Sequence, residues 1–347
     1  MAENKTEQAK QLIVRYIRDQ KMMSGDRLPG QGFFREKFRY GTTTIAAAVR
    51  ELRDDGVLDV RDKIGVFVVD ANANGHIGRT VAVTAVHLED SMFYSVLSSF
   101  LQVHLIRSGN LMRLFCCQAP SPKGSFSIDD YPGLQRCVDG GEIQGIIHLD
   151  DFEPKAGNYL KKNGIPSLKI GSTLSADGIR IDFSTIMKQA LAKIRSIGCR
   201  RPGLIVNAYL FEALESEFRN LSCELWGSVS SAVFSGYNIN DGRRIMQEYM
   251  NLPREKRPDG LVIMDDILGG TVAAELASVL LPDEMPAAVI LRNLQLAIPF
   301  PFRRRYYYDV DLNELALIAT GVINKAMKTG SLEHVSISYL PKPHWEE

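Results

Sequence analysis

From Arg79 onward, short continuous apolar runs alternate with segments whose apolar residues recur every three or four positions. Residues 80–86, 111–117, 143–149, 167–170 and 179–183 are the runs. Residues 93–106, 156–162 and the stretch through Ile186, Met187, Ala190, Leu191 and Ile194 carry the helical period between them. A short apolar run without polar alternation is a strand covered on both faces, and strands separated by helices pair in parallel through right-handed crossovers. The pattern then repeats, with strands at 204–206, 260–264 and 288–291 and helices at 210–220, 242–250 and 268–280. A further helix at 312–327 and a strand at 335–339 follow. This predicts two α/β lobes in tandem, each built on a parallel sheet.

The first seventy residues follow different rules. Ala9, Leu12, Ile13, Tyr16 and Ile17 share one helical face, with Thr6 placed to cap it. Gly25-Asp26 stops that helix, and Leu28-Pro29 restarts the chain in an extended form. Phe33, Phe34 and Phe38 mark a second short helix, and Tyr40-Gly41 a turn in which glycine permits positive φ. Thr42 or Thr43 then caps a third helix, with Ile45, Ala48, Val49 and Leu52 inward and Ala46, Ala47, Arg50 and Arg53 outward. Residues 57–60 and 66–68 form a hairpin around Lys63-Ile64-Gly65. Three short helices and a hairpin make a small α+β winged helix-turn-helix. That shape serves DNA binding or protein docking; small residues at a helix N-terminus, with free N–H groups and hydroxyls, suit close approach to phosphate. Residues 1–70 are expected to form this head, 71–79 a linker without periodicity, and 80–347 the two lobes.

Global composition narrows the function. At 347 residues the chain has room for two or three domains. No apolar run approaches the roughly 18 residues that a membrane span needs. Five cysteines without a C-x-x-C pair predict free thiols, a cytoplasmic setting and no zinc site. No H-E-x-x-H, P-loop or Gly-x-Ser-x-Gly is present, so neither an enzyme nor a cofactor is expected. Net charge is zero, yet residues 27–53 hold six basic side chains against two acidic ones, so positive charge concentrates on the head.

Leu28-Pro29, Phe38, Thr43-Thr44-Ile45, Ala48-Val49-Arg50-Glu51-Leu52, Gly56-Val57-Leu58 and Gly65-Val66-Phe67-Val68 stand in the order and spacing of the GntR-type winged helix, which residues 6–69 resemble. Gly198-Cys199-Arg200-Arg201-Pro202-Gly203-Leu204-Ile205, the stretch 258–266 with Gly269 behind it, Gln144-Gly145-Ile146-Ile147 and Gly164-Ile165-Pro166 resemble elements of LacI/GalR-type sensors. The latter are periplasmic-binding-protein-like, and the likeness covers about residues 79–340. Together the resemblances imply a homodimeric transcriptional regulator, a repressor by expectation. Its partners are double-stranded operator DNA and a small-molecule effector, a carbohydrate or a related compound.

The chain departs from both patterns. The GntR-type arginines are replaced by Gly32, Thr42 and Ala46. On the sensor side, residues 207–211 lack the usual arginine, Asp265 replaces an asparagine and Asn293 an aspartate. The competing reading is therefore a binding module or pseudo-sensor with weak DNA affinity that acts through protein contacts.

For DNA the candidate residues are Arg27, Arg35, Lys37, Arg39, Thr42, Thr43, Thr44, Arg50 and Lys63, with Arg53 as a further phosphate contact. Ligands of open α/β sheets bind at the carboxyl ends of strands, and between two lobes that means the cleft. This selects Asp90, Phe93, Tyr94, Asp150, Asp182, Asp265, Asp266 and Arg292. His148 is expected to be a structural hydrogen-bonder, and Arg303-Arg304-Arg305 a solvated basic loop near a lobe crossover.

Overall fold

The computed structural model describes residues 5–20, 22, 25–55, 57–61, 64–69, 79–86, 91–117, 125–171, 178–227, 231–330, 332 and 335–345. The head consists of α1 (Lys5–Asp19), α2 (Gln31–Phe38), α3 (Thr42–Asp54), β1 (Leu58–Arg61) and β2 (Gly65–Val68), the strands pairing antiparallel. Ile13, Phe34, Ile45 and Leu52 are fully enclosed at its centre. Truncating such a side chain, as in Phe34→Ala, costs about 3–5 kcal/mol. Lys10 of α1 is buried too, with Nζ 3.0 Å from Asp55, 3.2 Å from Glu51 and 3.5 Å from Glu7. Burial pulls its pKa down, but the hydrogen bonds to Asp55 and Glu51 outweigh that and hold it above the ordinary lysine value.

Local details of the head correct the sequence reading. Thr6 lies inside α1 rather than capping it. The N-cap of α3 is Gly41 with φ −66°, and Thr42 and Thr43 are already helical. Positive φ falls instead on Arg39, the left-handed C-cap of α2 at φ 60°, whose N–H donates to Arg35 O. Helix α2 closes through that residue, so Gly41 needs no special backbone freedom.

The first lobe contains β3 (Thr80–Val86), α4 (Met92–Arg107), β4 (Leu111–Cys117), α5 (Leu134–Asp139), β5 (Gly145–His148), α6 (Pro154–Lys162), β6 (Ser167–Gly171) and β7 (Gly178–Ile181). The second contains α7 (Phe183–Ser196), β8 (Pro202–Asn207), α8 (Phe211–Trp226), β9 (Ala232–Gly236), α9 (Gly242–Asn251), β10 (Gly260–Ile263), α10 (Asp266–Ala277), β11 (Ala287–Asn293) and β12 (Arg305–Val310). The chain then returns: α11 (Leu312–Thr329) packs on α4, β13 (Ser336–Tyr339) adds to β7, and β14 (Lys342–His344) adds to β12. The sheets run β4-β3-β5-β6-β7-β13 and β9-β8-β10-β11-β12-β14, parallel throughout except at β14. Gly269 is required where α10 meets β10, because a Cβ there would stand 2.2 Å from Ile263 Cγ2.

Three crossovers join the lobes, and two are tied to the third. The Asp182 N–H donates to Tyr339 O at 2.9 Å, and the Asp311 N–H to Tyr339 Oη at 3.1 Å. The arginine triplet is a solvated loop only in part: Arg303 and Arg304 are exposed in a bend, while Arg305 belongs to a strand. Arg305 opens β12, Tyr307 and Tyr308 behind it are buried, Arg303 pairs with Asp283, and Arg304 donates to Ile197 O. Expected residues 70–78 and the tip of the hairpin at 62–63 lie outside the described residues. No described helix is long and apolar enough to cross a membrane.

Candidate functional site

On the head, Gly41 offers α3 no side-chain cap, so the first-turn N–H groups open outward beside exposed Thr42 and Thr43. Thr44, Ala46 and Ala47 are half-buried behind them. Arg35 on α2, Arg39 just after it, and Arg50 two turns further along α3 are exposed. Lys37 is exposed too, but its ammonium lies over two rings, with Nζ 5.0 Å from the Tyr16 ring centroid and 5.5 Å from that of Phe33. Arg53 pairs with Asp54 at 2.6 Å. Arg27 lies along the wing: a Cβ on Gly65, which has φ +141°, would meet its Nε at 2.7 Å. Lys63 lies outside the described residues.

The second region is where the carboxyl ends of the two sheets meet. In the first lobe, Ser91 caps α4 and accepts from the Tyr94 N–H, which fixes the Phe93–Tyr94 ring pair at 5.6 Å. Asp150, after β5, is 8 % exposed and accepts from Tyr131 Oη at 3.2 Å. Burial raises its pKa to about 7, against the hydrogen bonds from Tyr131 and the Val86 backbone and the nearby charge of Lys169. His148 Nδ1–H donates to Asp150 O at 2.7 Å, and its ring stacks on Phe152 at 4.5 Å. Burial and then Lys169 hold this imidazole neutral, with a pKa of about 4 that the Asp150 carbonyl only partly offsets. Lys169, beside His148 in β6, is 7 % exposed, is paired with Asp151, and is lowered to about 8 by burial. Asp90 lies outside the described residues.

In the second lobe Asn207 ends β8, caps the following turn by accepting from the Tyr209 N–H, and donates to Asp265 Oδ2 at 3.1 Å. Asp265 also caps α10 through the Leu268 N–H. Asp266 is buried and accepts both the Asn293 N–H at 2.7 Å and Asn293 Nδ2 at 2.9 Å. Its pKa rises to about 7, chiefly through burial. Arg292 is 2.7 Å from Asp309, with its guanidinium 3.9 Å from the Tyr307 ring centroid. Asp182 caps α7 at a crossover, accepting from Thr185 and Ser338. Those bonds hold its carboxyl below the usual range although burial works the other way.

The candidates therefore separate. Phe93, Tyr94, Asp150 and Asp265 stand on the facing sheet ends, whereas Asp182, Asp266 and Arg292 are bound into internal networks. Sequence reasoning passed over Tyr131, Lys169, Asn207, Tyr209 and Tyr237. A lysine in the middle of an apolar strand was the signal for Lys169; Tyr131 lies in a stretch with no assigned element. Tyr209 and Tyr237 are 62 % and 59 % exposed and meet edge to face at 5.4 Å. The Tyr94 hydroxyl is raised by burial, then by the charge of Asp150 and by Tyr209, which places those groups within electrostatic range across the cleft. Among the described residues no three His, Cys, Asp or Glu side chains converge as a metal site.

Residues 5–68 match the model of the bacterial regulatory proteins, gntR family. Comparison with curated protein sequences gave no match. Solved structures resemble the two lobes. The Cra transcriptional dual regulator from Pseudomonas putida, in complex with fructose 1-phosphate, aligns at TM-score 0.60 with 17% identity over 77% of this chain and 98% of its own. A LacI family transcriptional regulator from Arthrobacter sp., in complex with lactose, aligns at 0.61 with 12% identity over 77% and 97%. A LacI family regulatory protein from Chloroflexus aggregans aligns at 0.60 with 13% identity over 76% and 96%. The lobes therefore share the fold of LacI-type regulators.

Proposed function

We propose that the chain is a ligand-responsive transcriptional regulator: a GntR-type head, residues 1–70, reads operator DNA under the control of a LacI-like sensor, residues 80–347, through the linker 71–79. The observation that carries this reading is the open N-terminus of α3 on a head matched to a DNA-binding family, in one chain with two hinged lobes. Thr42, Thr43 and Thr44 with the first-turn amides face the duplex, and Arg27, Arg35, Arg39, Arg50 and Lys63 reach flanking phosphates. Lys37 contributes least, because its ammonium is engaged over Tyr16 and Phe33. Two copies place two heads on successive major-groove half-sites, and a small molecule between the lobes shifts their spacing. The regulator acts as a cytoplasmic, non-enzymatic repressor; its five cysteines are free. The Cra and LacI-family relatives with a bound sugar phosphate or sugar support an effector in the cleft formed by Tyr94, Asp150, Tyr209 and Asp265.

Purified protein binding to fragments of its own upstream DNA, titrated with salt, tests this. A selective complex is expected, with log affinity falling steeply against log salt. Arg50→Ala should flatten that slope by about one phosphate's contribution, and Lys37→Ala should leave it nearly unchanged. Equal binding to every fragment contradicts the reading.

A further inference from the structure

We propose that the effector of this cleft is an organic cation with a planar body, its charge paired with Asp150 and its plane held among Tyr94, Tyr209 and Tyr237. This rests on the regulator reading and names its ligand class.

The charges around the two sheet ends carry the argument. Three cations described there are already committed: Arg292 to Asp309, Lys169 to Asp151, and Arg244 to Asp241 and Glu248. Among these described residues an anionic ligand would give up its hydration and meet no uncommitted guanidinium or ammonium. The carboxylates retain capacity. Asp150 accepts from Tyr131 and the Val86 N–H, and Asp265 from Asn207 and the Leu268 amide, while an ionised carboxylate offers about four lone-pair sites. Counted together, Asp150, Asp151 and Lys169 leave one negative charge unbalanced. The exposed Tyr209–Tyr237 pair stands on one lobe and Tyr94 on the other, and electron-rich ring faces attract cations. A neutral polyol would leave Asp150 half protonated near pH 7, whereas a cation draws the proton off and gains a full charge pair.

The groups packed around Asp150 are Tyr131, Tyr94, His148, Lys169 and Asp151. His148 titrates near 4, Lys169 near 8, and both tyrosines are pushed above their ordinary value, so Asp150 is the group among these that titrates near pH 7. A bound cation therefore releases a proton from Asp150, and affinity rises as pH increases through 7.

Calorimetry on the full chain with three molecules sharing one ring tests the charge. Tyramine is the cation, tyrosol the neutral form and 4-hydroxyphenylacetate the anion. Tyramine should bind about ten- to a hundredfold more tightly than tyrosol, as a charge-assisted contact implies, and 4-hydroxyphenylacetate most weakly. Tyramine affinity should rise about tenfold from pH 6 to 8, with proton release in buffers of different ionisation enthalpy. Asp150→Asn, which keeps an acceptor for Tyr131, should abolish the preference for charge. Tyr209→Ala, on an exposed side chain that the fold does not need, should weaken tyramine and tyrosol alike. No binding of tyramine, equal binding of tyrosol, or preference for the anion overturns the proposal. Lactose or fructose 1-phosphate that releases DNA would overturn the cation class and leave the regulator standing. Absence of any DNA complex would remove the regulator while tyramine binding remained measurable.

Discussion

The two lobes share a parallel sheet and a helix-capping scheme, yet their carboxyl ends handle charge in opposite ways. The second lobe spends the polar groups behind its sheet end on its own backbone and side chains: Asp266 on Asn293, Arg292 on Asp309. The first lobe gathers buried His148, Lys169 and Asp150 with half-buried Asp151 in one cluster and leaves Asp150 held by a single side-chain bond. The difference teaches which edge is scaffold and which is sensor. A charge satisfied internally positions the fold, and one kept under-satisfied is available to a ligand.

Removing partners on each side should separate the two designs. Asp151→Ala leaves the Lys169 ammonium buried and unpaired, and chemical denaturation should register a loss of about 2–3 kcal/mol. Lys169→Met removes the charge with its desolvation and should cost less than about 1.5 kcal/mol. The reverse order would show that Lys169 serves a contact other than Asp151. In the second lobe, Asp266→Ala leaves the Asn293 N–H and amide without acceptors and should cost about 2 kcal/mol, against about 1 kcal/mol for the N-cap loss in Asp265→Ala.

Stability against pH sharpens the comparison. Asp266 and Asp150 move from an ordinary 3.8 to about 7, so the stability each contributes is complete below 3.8 and is lost as pH rises through 7. His148 moves from 6.5 to about 4, so its contribution is present above 6.5 and is lost as pH falls through 4. The first lobe thus holds two opposing slopes and the second only the falling one. Denaturation midpoints between pH 4 and 7 should decline in the native chain, flatten in Asp266→Asn and equally in Asp150→Asn, and tilt upward in the double variant, where His148 acts alone. The smallest effect is expected for Arg292→Ala, about 1 kcal/mol in the same assay, because Asp309 also faces His344.

Much of this architecture is legible in the residues themselves. The buried strands β3, β5, β8, β10 and β11 are short runs of Val, Ile and Leu, and the inward face of α3 follows helical spacing. β12 is illegible because three arginines mask its start and tyrosines supply its apolar surface, and β14 because a three-residue strand carries no period. The site was harder to read than the fold. Strand ends point to Tyr94, Asp150 and Asp265, but nothing local says that Asp266 turns inward to Asn293 or that Asp309 claims Arg292, since those partners are 27 and 17 residues away. The replaced sensor arginine at residues 207–211 acquires meaning only beside the exposed tyrosine that stands there.

The central claim is that the lobes govern the head, and coupling between the two sites measures it directly. The affinity of the full chain for its selected operator fragment should be determined with and without a small molecule that raises the chain's melting temperature. The account predicts a change of about 5- to 150-fold, with the operator altering that molecule's affinity by the same factor. An operator affinity that stays constant while the cleft is saturated would contradict it.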